Sequence, residues 1–544
     1  MKPQLRVRKA QCSRHYNTIG DVKKAPPRTG RSAVFVAAGI LVSRLAGLVR
    51  TRFFAHYFGL SAEGDAFAAG FRIPNFLQNL FGEGALSASF IPVYASLVAR
   101  EDRREADRVA GAIASILALL VSGLVLLGVL ATPLLIDAIA PGFTGAKREL
   151  TIQIVRILFP GAGLLVLSAW CLGVLNSHHR FLLSYAAPVM WNAAMIATMI
   201  IYGRAALPDL ALKLAWGSVA GSALQFGVQL PVVLRIAPDL KLIFDTASEH
   251  VRTVVRNFVP VFISRGVVQV SAYIDSLIAS LLPTGAVVGL TNAQLLYTLP
   301  VSLFGISVSA AELPAMAGTL GDDPAGTNKL QQRLNSGLRQ IAFFVVPSAI
   351  AFIALGDVVA AALLQTGRFT HSDALYVWGI LAGSGVGLLA STLGRLYSST
   401  YYALRDTRTP LRYALVRVVL TTVLGYLFAI PLPRALGINT VWGAAGLTAS
   451  AGIAGWVEML MLRRTLNSRI GHTGLPFDYI VKLWSAAIAG GIVAWLLKLT
   501  LPPMHPAISA VIILGPYGLV FLGATFLLRV SEASSAVSRL LRRR

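Results

Sequence analysis

Three arginines sit where a guanidinium is costly. The stretch Ser43-Arg44-Leu45-Ala46-Gly47-Leu48-Val49-Arg50-Thr51-Arg52 lies inside an apolar run, and an arginine at the centre of a membrane span costs about 2.5–3.5 kcal/mol on insertion scales. The next apolar run carries Asp65, Arg72, Asn75, Asn79 and Glu83. At about 100° per residue, Asp65, Arg72, Asn79 and Glu83 fall within about 40° of one another, with Asn75 slightly off that line. They form a polar stripe down an otherwise apolar helix. A later run adds Arg265, Gln269 and Ser276 on one face, with Asp275 to the side. Such groups face a water-filled cavity, pair with one another, or snorkel to an edge.

Two readings of these charges compete. In one, internal ion pairs such as Arg44 or Arg50 with Asp65 or Glu83 only lock helices together. In the other, the side chains line a hydrated cavity that binds an anion. Arg44, Arg50, Arg52, Arg72 and Arg265 outnumber Asp65, Glu83 and Asp275 by two charges. A purely structural network would balance, so the excess favours the anion cavity. On that reading Arg44, Arg50, Arg72, Asn75 and Arg265 are candidate substrate ligands, and Asp65 and Glu83 are candidate gating or charge-pairing carboxylates. Asp275 is either part of a cation-coupling site or a carboxylate that pairs helices.

Membrane helices must position these residues. Of the 544 residues, 55% are hydrophobic and only 13% charged, with a mean hydropathy of +0.68. A soluble protein has roughly 25% charged residues, so this chain cannot cover a water-facing surface. Fourteen runs are long enough to span a bilayer: 33–58, 65–99, 109–139, 149–176, 183–203, 213–234, 257–282, 287–316, 340–364, 374–403, 411–431, 440–462, 478–499 and 508–528. The predicted class is an all-α polytopic membrane protein. Short connectors leave no room for a large extramembrane domain. The basic tail before residue 33 has no apolar core of the kind a secretory signal needs, and it reads as a disordered cytoplasmic segment.

Orientation follows from the 48 Lys and Arg. With both termini inside, 32 of them fall on the cytoplasmic side and seven on the other, the rest lying within spans. That bias is the positive-inside signature. It accounts for the net charge of +24 as a topology and anionic-lipid signal, and makes nucleic acid unnecessary as a partner.

Among the remaining residues, Arg417 and Lys482 lie near cytoplasmic ends and can snorkel. Arg156 and Arg395 take the same structural reading, and Trp484 and Trp495 read as interfacial anchors. Cys12 and Cys171 suggest neither a disulfide framework nor a thiolate metal site. Nucleotide-binding loops, dinucleotide fingerprints and metalloprotease motifs are missing, so neither cofactor nor metal is expected. A transporter of this kind would draw on an ion gradient, the membrane potential or the substrate's own gradient. Leu80-Phe81-Gly82-Glu83-Gly84-Ala85-Leu86-Ser87-Ala88 also has a faint echo in Leu303-Phe304-Gly305-Ile306-Ser307-Val308-Ser309-Ala310. Six spans separate the two, as two six-helix repeats would require, and paired Gly/Pro-interrupted spans point to a transporter's central site.

With these residues in place, the sequence resembles the lipid II flippase family (MurJ, also called MviN), a branch of the multidrug/oligosaccharidyl-lipid/polysaccharide exporter superfamily. The resemblance runs through the helix-1 arginine stretch, Gly64-Asp65-Ala66-Phe67, Phe71-Arg72-Ile73-Pro74-Asn75-Phe76-Leu77 and Phe81-Gly82-Glu83-Gly84-Ala85-Leu86-Ser87 with Phe90-Ile91-Pro92. It continues through Ala140-Pro141-Gly142-Phe143, Ala187-Pro188 with Asn192, Gly367-Arg368-Phe369-Thr370 and Tyr402-Ala403-Leu404-Arg405-Asp406-Thr407-Arg408-Thr409-Pro410.

The resemblance implies two six-helix lobes, 33–235 and 236–463, and a C-terminal pair of helices within 464–544 grooved for a polyprenyl tail. It implies a cationic cavity with alternating access, and an undecaprenyl-diphosphate disaccharide-pentapeptide moved from inner to outer leaflet for peptidoglycan synthesis. Arg44 and Arg50 match the family's helix-1 arginines, Asp65 and Glu83 its helix-2 acids, and Arg72 a basic position there. Cell-wall synthesis enzymes become possible partners. The chain departs from the family where Gln78 or Asn79, and Leu295, stand in place of arginine, and Arg265 is a candidate replacement for one of them. Helix 11 offers Thr421, Thr422 and Gly425 where members often place Asn or Asp, against a sodium site. The alternatives are an exporter of another polyprenyl-linked glycan and a non-transporting cell-wall scaffold.

Overall fold

The computed structural model describes residues 29–245, 247–318 and 324–534. The expected N-terminal tail, Cys12 and the last basic residues lie outside the described residues. The chain runs as α1 (Thr29–Phe58), α2 (Ala62–Asn79), α3 (Ser87–Ala99), α4 (Arg103–Leu130), α5 (Thr132–Ile139), α6 (Gly145–Ser177), α7 (Phe181–Ala186), α8 (Pro188–Tyr202) and α9 (Leu207–Ile236). It continues as α10 (Glu249–Ser280), α11 (Ala286–Pro300), α12 (Ser307–Ala317), α13 (Pro324–Leu364), α14 (His371–Ala403), α15 (Arg408–Ala429), α16 (Pro431–Ala435), α17 (Gly443–Ile470), α18 (Phe477–Thr500) and α19 (Pro506–Leu527). No strand occurs among the described residues.

Local chemistry sets the helix starts. Ser61 Oγ accepts from Gly64 N at 3.0 Å and opens α2, while Thr370 and Asp373 cap α14 reciprocally, satisfying amides that a helix start leaves unpaired. Two rods change pitch midway. Between α2 and α3 the backbone is a π-helix over Leu80–Leu86, and between α11 and α12 it is a π-helix over Val301–Ile306. These are the two stretches of the sequence echo. Pro300, with no N–H to donate, ends α11 and lets the ladder slip.

Among the described residues, eleven helical segments are long and apolar enough to cross a membrane. Beyond them, α1, the α2–α3 rod and α10 are long but richer in charge, and they carry the polar stripes. The 41 residues of α13 would span about 60 Å at 1.5 Å per residue, about twice a hydrocarbon core. Its first turns therefore project beyond the bilayer, which is why the apolar run begins only near residue 340.

Packing builds separate cores. In the first half, α6 lies against α2, α4 and α9. In the second half, α14 lies between α13 and α17. A Cβ on Gly387 would stand 2.2 Å from the Cα of Gly452, so α14 and α17 approach closely because both positions lack a side chain. The last two helices, α18 and α19, pair with each other and lie on α13.

Candidate functional site

A cavity of about 420 Å³ opens between α1, α2 and α8 on one side and α10 and α11 on the other. Two guanidiniums face it. Arg50, on α1, stands over the Trp191 ring at 4.7 Å and near the Phe71 ring at 6.0 Å. Arg72, on α2, reaches across to α11, donating to Thr291 Oγ1 and Gln294 Oε1, both at 3.4 Å. The Arg72 carbonyl accepts the Tyr273 hydroxyl at 2.6 Å, which fixes the backbone of α2 against α10. Asn75 and Asn79 line the same space. Neither guanidinium forms an ion pair among the described residues. The groups that touch them are neutral, while the Asp275 carboxylate in the same cavity acts on Arg72 electrostatically without pairing with it.

Asp275 also lines this cavity, and its Oδ1 is buried without a hydrogen-bond partner among the described residues. Arg44 is not among the described residues that line the cavity. It is exposed, about 9 Å nearer the start of α1 than Arg50 at 1.5 Å per residue. The side chains of Glu83 and Arg265 lie outside the described residues, so the roles expected of them there gain nothing from the geometry.

Asp65 departs from the expected pairing with a cavity arginine. It is 1% exposed and receives Lys147 Nζ at 2.7 Å, Gly285 N at 2.8 Å and Val288 N at 2.9 Å. The physical reason is placement. Asp65 occupies the first turn of α2, opposite the start of α11, where free amides attract a carboxylate. Gly285 presents its N–H from a left-handed conformation (φ +94°), and a Cβ there would stand 3.0 Å from Leu60.

This contact belongs to a seal joining the two halves at one end. Arg52 Nη1 donates to the carbonyls of Ala362 and Leu363 at 3.0 and 2.9 Å, satisfying the end of α13. Arg368 N donates to His56 O at 2.8 Å, and His56 Nδ1 meets Thr366 Oγ1 at 2.9 Å. Gly142 N donates to Ser280 Oγ at 3.3 Å. The cavity is thus closed at the end where α1, α10 and α13 finish and α2, α11 and α14 begin.

Other charges serve packing. Arg417 pairs with Glu458 at 3.0 Å instead of snorkelling, and Lys482 lies 3.7 Å from Asp478 on its own helix. Lys498, at the end of the 478–499 run, reaches buried Asp357 at 2.5 Å and joins α18 to α13. Arg156 and Arg395 are exposed. Trp484 packs against the second-half core, whereas Trp495 carries Lys498 at 4.5 Å from its ring.

Sequence reasoning missed Trp191, Tyr273, Thr291, Gln294 and Lys147. Trp191 stands beside Asn192 of a quoted block, and only a search for aromatic partners of membrane arginines would have singled it out. Lys147 looked like an ordinary loop charge.

The family model described as "Lipid II flippase MurJ" matches residues 54–515. A Burkholderia cenocepacia protein named "Lipid II flippase MurJ" is 31% identical over 475 residues, covering 86% of this chain and 89% of its own length. The chain belongs to the MurJ family. A Rhizobium tropici protein named "Probable lipid II flippase MurJ" is 30% identical, with 85% of this chain and 86% of that protein aligned. Among solved structures, "Lipid II flippase MurJ, inward closed conformation" superposes with a TM-score of 0.75 at 23% identity, over 91% of this chain and 99% of that one. An inward-facing MATE family transporter of the MOP superfamily gives 0.63 at 18% identity, over 80% and 98%. These two likenesses concern the fold. Apolar spans and MurJ membership together make the chain an integral inner-membrane protein.

Proposed function

We propose that this protein is a lipid II flippase, a transporter and not an enzyme, that carries undecaprenyl-diphosphate disaccharide-pentapeptide from the inner to the outer leaflet for peptidoglycan synthesis. The observation that carries this reading is the pair Arg50 and Arg72, facing one cavity on neutral supports. A guanidinium fork matches phosphate oxygens bidentately, and a diphosphate offers two phosphoryl groups to two such forks. The polyprenyl tail stays in lipid while the head group crosses the hydrated interior.

The lysine and arginine bias supports an orientation with both termini inside. The sealed end then faces outward, and the cavity belongs to a state closed to the outer side. We take 33–235 and 236–463 as the two lobes that move against each other, and the α18–α19 pair as the seat of the lipid tail. Membrane lipids and cell-wall synthesis enzymes complete the proposed surroundings.

The test is the leaflet distribution of the lipid-linked precursor in cells depleted of a native flippase. Expression of this chain should restore outer-leaflet precursor, and Arg50→Ala or Arg72→Ala should not. Full rescue by both variants would mark a scaffold. Movement of a different polyprenyl-linked glycan in proteoliposomes, with none of lipid II, would reassign the substrate.

A further inference from the structure

Arg50 poses a physical problem. A half-buried guanidinium inside a membrane protein needs stabilisation, yet a carboxylate partner would cancel the charge that an anionic ligand requires. The aromatic group beneath it resolves the conflict. We propose that Trp191 is the positioning residue of the transport cavity: its indole face holds the Arg50 guanidinium at 4.7 Å, keeping it charged and aimed at a diphosphate. The proposal rests on the functional reading above and deepens it.

Three observations support it. The indole is fixed from three sides: Nε1 donates to Ser218 Oγ on α9 at 3.1 Å, Phe71 on α2 stacks on it at 5.5 Å and 24°, and Gly221 leaves it room. A Cβ on Gly221 would lie 2.9 Å from Trp191 Cδ1. Phe67 extends the stack behind Phe71 at 6.0 Å and 10°. The shelf is therefore rigid before any ligand arrives. Second, an indole face is the strongest neutral side-chain partner for a cation, and the attraction grows when water is excluded. Third, a ring face takes none of the guanidinium's N–H donors, so the fork stays free for phosphate oxygens. Arg72 shows the same principle with weaker means, held at 3.4 Å by a hydroxyl and an amide oxygen.

A role in positioning charge separates from simple packing through fluorination of the indole. Site-specific replacement of Trp191 by mono-, di- and trifluorotryptophan keeps the ring shape and its N–H but drains the face of electron density. In nanodiscs, affinity for inorganic pyrophosphate and for lipid II should fall stepwise along the series, by about two- to thirtyfold in total, with unchanged melting temperature. The ¹⁹F resonance at position 191 should shift on Arg50→Gln, and in that background the fluorination series should have no effect on affinity. Flat affinity across the series, or a ¹⁹F resonance indifferent to Arg50→Gln, would overturn the proposal. Graded pyrophosphate affinity without any lipid II binding would leave the positioning role standing and sink the functional reading alone.

Discussion

At the closed end of the cavity one carboxylate gathers three donors from α6 and the start of α11. Asp65 holds two amides of α11 as well as Lys147, and hydrogen bonds to a charged group contribute about 1.5–3 kcal/mol each. Asp65→Asn keeps one acceptor oxygen and loses the charge. It should shift the population toward an outward-open state by about tenfold or more. Labelling of a cysteine placed at Thr291 by an impermeant reagent from the outer side reads this directly, and an unchanged labelling rate would refute the seal. For Arg50, the fork matters as well as the charge. Arg50→Lys keeps the cation but presents a point charge, and should lower lipid II affinity by about tenfold while leaving melting unchanged. Equal affinity would show that any cation suffices.

At the scale of elements, helix ends do much of the specifying. Gly285 begins α11 at a positive φ and gives its amide to Asp65. Gly285→Ala places a Cβ in a left-handed conformation at a cost of about 1–2 kcal/mol, and should weaken the same seal in the same labelling assay. A melting shift without a labelling change would mean that the residue serves folding alone. Asp406 plays the corresponding part for α15. It accepts from the Thr409 amide at 3.0 Å and the Thr409 hydroxyl at 2.7 Å, and from Arg469 at 2.8 Å. These contacts, those from Thr409 foremost, hold its carboxyl well below the ordinary value of 3.8. A depressed carboxyl contributes stability above its ordinary value, and that contribution is lost as pH falls toward the folded one. Asp406→Asn should therefore melt lower than the parent at neutral pH, with the gap narrowing only below about pH 4. A constant gap from pH 7 to about pH 3 would remove ionisation as the cause.

For the molecule as a whole, the helical class and the membrane character were legible in the sequence, because both depend on local hydropathy, and Arg50 and Arg72 stood out as charges in an apolar setting. Partners were not. Lys147 meets Asp65 across 82 positions, Gly285 meets it across 220, and Arg52 finds the end of α13 across 310. Helical periodicity carries no information at those separations. The echo between the second and eighth spans proved more telling than its residues suggested, since both copies fold as π-helical interruptions of a long rod. Arg44 illustrates the opposite case: it shares a helix and a residue type with Arg50, but six positions turn it to an exposed face.

Arg52 docks on carbonyls, and Asp65 takes amides from α11. Both anchors grip backbone atoms, which every residue supplies except for the N–H that proline lacks. A saturation library should therefore be lopsided, with positions 52 and 65 rejecting nearly all replacements while Ala362 and Leu363 accept a range of apolar ones. Apart from Gly285, whose backbone conformation is itself demanding, mutational drift on the far bank leaves such a clasp fastened.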